Sequence, residues 1–226
     1  ETLESLAILA PCVQTPTNFL FEWTELKYVM FDTRRLFLDP NNFIKCAKLD
    51  TFTVNNFAII VMKENQFNSC NSLNFFEFKA VESFIHFVHI PDDCPIKKIK
   101  FTGCKININE PNFNFPPLEA LEFNVDELTI DSDYFHKWKN LKSFDAKAKS
   151  ILSIGSGCFE NNKNLENVSL QAKSIFIGDK CFKSCISLKN FSIKESGAIK
   201  LGSKEFEGCK ELKLLNFESD QDNSSL

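Results

Sequence analysis

A chain of 226 residues with 43% apolar residues and a net charge of −4 is long enough for one large domain or two small ones. Its acids and bases are interspersed rather than blocked, which argues against a broad basic footprint for nucleic acid. No stretch approaches the roughly 18 consecutive apolar residues of a membrane-spanning helix, and the short apolar run near the amino terminus has no basic flank, so neither direct membrane insertion nor a secretory leader is expected of these residues.

Residues 1–19 stand apart from the rest of the chain. In TLESLAILA, Leu3, Leu6, Ala7 and Ala10 fall at helical spacing behind Thr2 as an N-cap, which predicts a short helix capping the apolar edge of the first repeat. From Leu20 onward one unit recurs, F-x-x-C-x-x-L-x-x-h-x-h with h apolar, succeeded by a variable connection and a second short apolar alternation. A degenerate first copy runs through Leu20, Trp23, Leu26, Val29 and Phe31. The next two use Phe43, Cys46, Leu49, Phe52 and Val54, then Phe67, Cys70, Leu73, Phe76 and Phe78. Weaker copies centre on Cys94, Ile99 and Phe101, on Phe113, Leu118, Leu121 and Phe123, and on Phe135, Trp138, Leu141 and Phe144. The last three use Phe159, Leu165, Val168 and Leu170, then Phe182, Cys185, Leu188, Phe191 and Ile193, then Phe206, Cys209, Leu212, Leu215 and Phe217. About nine units of roughly 22–24 residues thus span 20–217, and 218–226 forms a polar tail. These slots absorb 16 of the 25 Phe in a chain with only two Tyr and two Trp, so the aromatic excess is a repeated core position.

The L-x-x-h-x-h segment alternates with the period of a half-buried strand, turning Val168 and Leu170 inward and Asn167, Ser169 and Gln171 outward. The second alternation recurs as LFLD, ININ, LTID, LSIG, IFIG and IKLG, predicting a second short strand on the opposite side of each coil. Gly155, Gly178 and Gly202 stand at equivalent turns behind it. No unit can bury its own apolar face, so stability must come from stacking. The expectation is a mainly β solenoid forming one elongated domain.

The pattern resembles the BspA-like subclass of leucine-rich repeats, whose copies run roughly I-x-x-x-x-F-x-x-C-x-x-L-x-x-(I/V)-x-(I/L)-P. SIGSGCFENNKNLENVSL and FIGDKCFKSCISLKNFSI carry the match best. The chain departs from it in lacking the Pro after the strand and in its Phe-heavy strands. The resemblance implies a non-catalytic protein-protein interaction module. BspA-like proteins are typically surface molecules that attach to host matrix or other cells, so it also implies adhesion or host interaction at a cell surface or outside the cell. The alternative is an intracellular, cytoplasmic scaffold, consistent with nine reduced thiols and unused sequons at Asn167, Asn190 and Asn223.

Chemistry-bearing motifs are sparse. Cys46, Cys70, Cys94, Cys185 and Cys209 occupy one slot that elsewhere takes Trp138, Asn162 or Pro116, so they read as small buried side chains rather than metal ligands or bridges. His86, His89 and Cys94 form a metal-like cluster, but His86 and His89 have odd spacing and fall on opposite faces of a strand. There is no G-x-S-x-G, no H-E-x-x-H and no phosphate-cradling glycine loop. Asp92 with Asp93, and Asp131 with Asp133, read as solvated turn formers. Neither an enzyme, a metal nor a cofactor is expected.

The partner is then expected to be a protein, met by the outward positions of the repeat strands. Tyr28, Met30 and Phe75 would form an apolar anchor, since aromatics and Met are enriched at interface cores. Glu77, Lys79, Lys98, Lys100, Glu122, Asp145 and Lys147 would supply charges of both signs. A register slip of one residue would turn Tyr28, Met30 and Phe75 inward instead. At the other end, an uncapped terminal coil would leave an edge on which a homodimer could form.

Overall fold

The F-x-x-C-x-x-L segment folds as two linked turns. The amide of the slot residue donates to the carbonyl of the leading Phe, and the Leu amide donates to the slot carbonyl: Cys185 to Phe182 at 3.2 Å and Leu188 to Cys185 at 3.1 Å, repeated at Phe43, Cys46 and Leu49. In six units two residues adopt left-handed backbone, one just ahead of the slot and one two ahead of the leading apolar residue, and Phe43 adds a third in its own unit. Asn41 and Lys45, Asn65 and Ser69, Gly157 and Asn161, and Lys180 and Ser184 are such pairs. That geometry aims their N–H groups along the stack. Lys45 donates to the Asn68 carbonyl and Gly157 to the Asp179 carbonyl, both at 2.9 Å, so the irregular side of each coil still satisfies its backbone.

The computed structural model describes residues 2–80, 87–90, 94–108, 113–114, 118–135 and 138–219, without the side chains of Phe75, Phe87, Val88, Phe113 and Asn114. The chain divides into two compact units, one of 1–104 with 111–118 and the other of 105–110 with 119–226. In the first, the strands β1 (Ser5–Leu9), β3 (Tyr28–Asp32), β5 (Thr51–Asn55), β7 (Phe75–Ala80) and the start of β9 (Lys98–Ile108) pair in parallel, each with its counterpart one coil on. A second parallel sheet contains β2 (Cys12–Thr15), β4 (Arg35–Leu38), β6 (Ile59–Met62), β8 (Phe87–His89) and β10 (Phe113–Asn114). The second unit stacks β11 (Ala120–Ile130), β12 (Ser143–Ile154), β13 (Asn167–Ile177), β14 (Asn190–Leu201) and β15 (Leu214–Ser219), again all parallel. Each unit is a β-solenoid.

Two expectations need correction. The helical cap does not form: among the described residues there is no α-helix, and TLESLAILA supplies β1, which pairs Leu6 with Val29 and Ile8 with Phe31. An isolated helix this short is marginal in water, whereas a strand satisfies its amides on β3 and aims Leu6 and Ile8 toward the core. In the second unit the two alternations do not form separate strands on opposite sides. They run together as single strands of 11 or 12 residues in β11 to β14, interrupted by register shifts at Val125/Glu127, Lys147/Ile151 and Ala172/Ser174. The corner residues explain the difference. In the first unit left-handed Asn56 and buried Phe57 turn the chain away between β5 and β6. Lys149, Ser150 and Lys173 can stay extended, and the extra residues are absorbed as bulges.

The three glycines at equivalent turns are required by close approach. A Cβ on Gly178 would lie 2.5 Å from the Ser156 nitrogen, and the Gly178 amide donates to the Ile154 carbonyl at 2.8 Å.

Inside the coils the leading phenylalanines stack along the repeat direction. Phe43 and Phe67 lie 5.2 Å apart at 7°, and Phe159 and Phe182 lie 5.2 Å apart at 8°. Strand phenylalanines meet them edge-on, as Phe52 does with Phe67 and Phe191 with Phe182, the geometry favoured by the ring quadrupole. This explains why the slot takes Phe so strictly.

Beside the rings runs a ladder of polar contacts. The Cys70 thiol donates to the Phe43 carbonyl at 2.8 Å, Cys185 to Phe159 at 3.1 Å and Cys209 to Phe182 at 3.1 Å, each reaching back one coil. Asn162 makes the same contact from its amide to the Phe135 carbonyl at 2.8 Å. Burial pushes the Cys185 thiol well above its ordinary value, so it stays protonated and able to donate. The cysteine slot is therefore a donor position, which is why Asn can replace Cys there.

The position just ahead of the leading Phe is also buried in six units, where it holds Asn42, Gln66, Tyr134, Cys158, Cys181 and Glu205. Glu205 is 6% exposed, and its Oε2 accepts the Cys181 amide at 3.1 Å. Burial, with the nearby charge of Asp179 adding to it, raises this carboxyl from 4.5 to about 7 against the pull of the amide bonds. The folded state therefore holds its proton to higher pH than the unfolded chain. The contribution to stability is full below pH 4.5 and is lost as pH rises through about 7. Gln66 shows that a neutral amide fits this slot. Glu205→Gln is expected to add about 1–2 kcal/mol at pH 8 and almost nothing at pH 4, as read from urea unfolding at the two pH values.

Candidate protein-binding face

The outward positions of the strands form the exposed face of each sheet. On β3, Val29 and Phe31 are buried, Tyr28 is 52% exposed, and Met30 and Asp32 are half-buried. The slipped register that would bury Tyr28 and Met30 does not occur. β5 sets Thr51, Thr53 and Asn55 beside them. The Asn55 amide lies 3.3 Å from the Met30 sulfur, and the Asn56 amide donates to Asp32 at 2.6 Å. Phe75 opens β7 in register between Thr51 and Lys98; its side chain is outside the described ones. Glu77 follows on the same strand and pairs with Lys79 at 3.1 Å and with Lys100 at 3.5 Å. Ion pairs this exposed are worth roughly 0.2–1 kcal/mol, so a partner can exchange them at little cost.

One residue at this face escaped the sequence reading. Leu9 pairs with Asp32 across β1 and β3 and is 70% exposed. Treating residues 1–19 as a helix concealed it, and the signal that could have found it is the alternation of Leu6 and Ile8 with Ala7 and Leu9. Phe19 and Phe21 are also partly exposed, with Lys45 Nζ 5.3 Å above the Phe21 ring.

In the second unit Glu122, Asp145, Ser169, Ser192 and Asn216 form one outward row across the five strands, and Asn124, Lys147, Gln171, Lys194 and Glu218 form the next. A groove of about 320 Å³ runs beside the second row. The sequon residues Asn167 and Asn190 face outward and bond to each other at 2.7 Å. On β15, Leu215 and Phe217 sit on the inward side, paired with Phe191 and Ile193, yet are 47% and 42% exposed.

Other candidates do not assemble into a site. Among the described residues no three His, Cys, Asp or Glu side chains gather as for a metal ion. His89 is half-buried in β8, and Cys94 is buried in the repeat slot. His86, Asp92 and Asp93 lie outside the described residues. Asp131 and Asp133 are exposed at a turn. No helix among the described residues is long and apolar enough to cross a membrane.

Among known proteins, a family model agrees with this architecture. The BspA type leucine rich repeat region matches residues 106–223 in six copies, more than half of the chain. A leucine-rich repeat protein from Bacteroides ovatus, solved by crystallography, is 15% identical, with 94% of this chain and 80% of that chain covered and a TM-score of 0.32. None of the curated proteins matches. With the F-x-x-C-x-x-L turns, the stacked phenylalanines and the parallel coils in place, the chain belongs to the BspA-type leucine-rich repeat family.

Proposed function

We propose that the protein is a non-catalytic module that binds another protein through the outward face of its repeat strands. In the first unit the anchor is Tyr28 with Met30 and Phe75, flanked by Glu77, Lys79, Lys98 and Lys100. In the second unit the outward strand positions of this kind are Glu122, Asp145 and Lys147. The observation that carries this reading is Tyr28, half exposed on a sheet face beside Met30. A rigid aromatic with a polar tip is the commonest kind of interface anchor, and mixed charges around it favour specificity over raw affinity. Family membership supports the interaction role. The setting we propose is attachment at a cell or matrix surface.

The test is capture from cell-surface and matrix extracts, with cytosolic lysate in parallel, comparing wild type with Tyr28→Ala/Met30→Ala. A surface or matrix protein should be retained by the wild type and held at least about tenfold more weakly by the variant. Equal retention by both would remove Tyr28 and Met30 from the interface, and retention of cytosolic proteins alone would remove the surface setting.

A further inference from the structure

Among the described residues of the second unit, the three most exposed large apolar side chains are Leu214, Leu215 and Phe217. All three belong to β15, which has no neighbour beyond it in the sheet. Leu215 and Phe217 continue the columns of Phe191 and Ile193 on β14, and before them of Val168 and Leu170 on β13. Those four are buried, each under the strand of the next coil. The Phe217 ring meets Phe191 at 6.3 Å on one side, and its other side is bare. Residues 220–226 hold one apolar side chain, Leu226, too little to cover the three.

The edge lacks the usual protection. Natural sheets guard an open edge with Lys, Pro or a bulge, and LLNFES in β15 has none of these. Its backbone is in phase with its side chains. The Leu214 amide donates to the Lys189 carbonyl at 3.0 Å, so Leu214, Asn216 and Glu218 turn their backbone groups toward β14, and Leu215 and Phe217 turn theirs to the open edge. The residues with uncovered apolar side chains are therefore also those whose N–H and C=O point outward along the stack.

We propose that β15 pairs antiparallel with β15 of a second copy, about a twofold axis at Asn216. In that register Leu215 stands opposite Phe217 of the second copy on either side of the axis, and each such pair exchanges backbone hydrogen bonds while its side chains meet. An axis normal to the sheet keeps both inward faces on the same side. Each copy thus covers the other's last core layer through one self-complementary patch. Asn216 faces its own counterpart, and outward amides already bond across strands in this unit, as Asn167 and Asn190 do at 2.7 Å. The opposite edge of the chain is a poorer match. There the coil bends into β1 and β2, which lie in different sheets, whereas β14 carries both alternations in a single strand. This interface is separate from the face around Tyr28 and does not rest on that reading.

Sedimentation of the whole chain over a range of concentrations should show a mass rising to twice that of one copy. Phe217→Lys should raise the dissociation constant at least tenfold, because it sets a charge against Leu215 of the second copy. That variant also loses the contact with Phe191, so cysteine crosslinking supplies a second readout. In a chain carrying Cys12→Ser, which removes the exposed native thiol, Asn216→Cys should give a covalent dimer under mild oxidation, since its Cα atoms face each other at about 4.5 Å. Glu218→Cys should not, standing about 14 Å from its own counterpart. A single-copy mass at every concentration would overturn the proposal. So would a dimer undiminished in Phe217→Lys, or equal crosslinking at 216 and 218. A ladder of ever larger species would assign the edge to β1 of the next copy and overturn the twofold pairing.

Discussion

Phe159→Ala is expected to destabilise the second unit by about 3–5 kcal/mol, near the upper end for a single core substitution. The ring is fully buried, stacked between Phe135 at 5.0 Å and Phe182 at 5.2 Å, with Phe144 tilted against it at 4.9 Å. Its neighbours cannot collapse into the gap, because each coil is pinned to the next by strand pairing and by the carbonyl ladder. Stability in stacked repeats is a sum over neighbouring interfaces, and this ring serves two of them. Phe206 fills the same slot but is only half-buried, and among the described residues it stacks on Phe182 alone, at 6.1 Å. Phe206→Ala should therefore cost clearly less. Urea unfolding of both variants measures the difference, and equal costs would contradict the account of the ring stack.

Asn162→Leu should cost about 2 kcal/mol, whereas Asn162→Cys should change stability by less than about 1 kcal/mol. The Asn162 amide is the donor to the Phe135 carbonyl, and Leu would leave that carbonyl buried without it. A thiol performs the same task at Cys70, Cys185 and Cys209. Cysteine would also remove the Asn162 Oδ1, which is buried without a hydrogen-bond partner. If Leu and Cys proved equally tolerated, the slot would be a matter of size alone. Thermal or urea unfolding under reducing conditions distinguishes the two.

The interior was largely legible because its slots repeat. A Phe every coil, a Leu six residues later and an alternating strand can be read from one chain by comparing it with itself, and Val29, Phe31, Val168 and Leu170 are buried where alternation puts them. What escaped were features that depend on backbone geometry. The donor role of the cysteine slot needs the carbonyl one coil back, and the left-handed positions hold Lys45, Lys180 and Lys204 as well as Asn and Gly, so composition does not announce them. TLESLAILA satisfies helical and alternating patterns at once. Only the open edge of β3 decides between them. The corners were equally silent: whether two alternations become two strands or one bulged strand turns on residues such as Phe57 and Lys149. At the candidate face, the alternation located Tyr28 and Met30 on the outward side, while Leu9 and the groove beside Lys147 required the register between coils.

If the buried, repeating interior displays a binding surface centred on Tyr28 and Met30, a bound partner must shield both side chains. Hydroxyl-radical footprinting of the protein, alone and with its captured partner, tests this most directly, because tyrosine and methionine are both reactive reporters. The partner should protect Tyr28 and Met30 while the partly exposed Ile186 and Leu201 of the second unit are oxidised as before. Unchanged oxidation of Tyr28 and Met30 in the complex, with protection elsewhere, would contradict it.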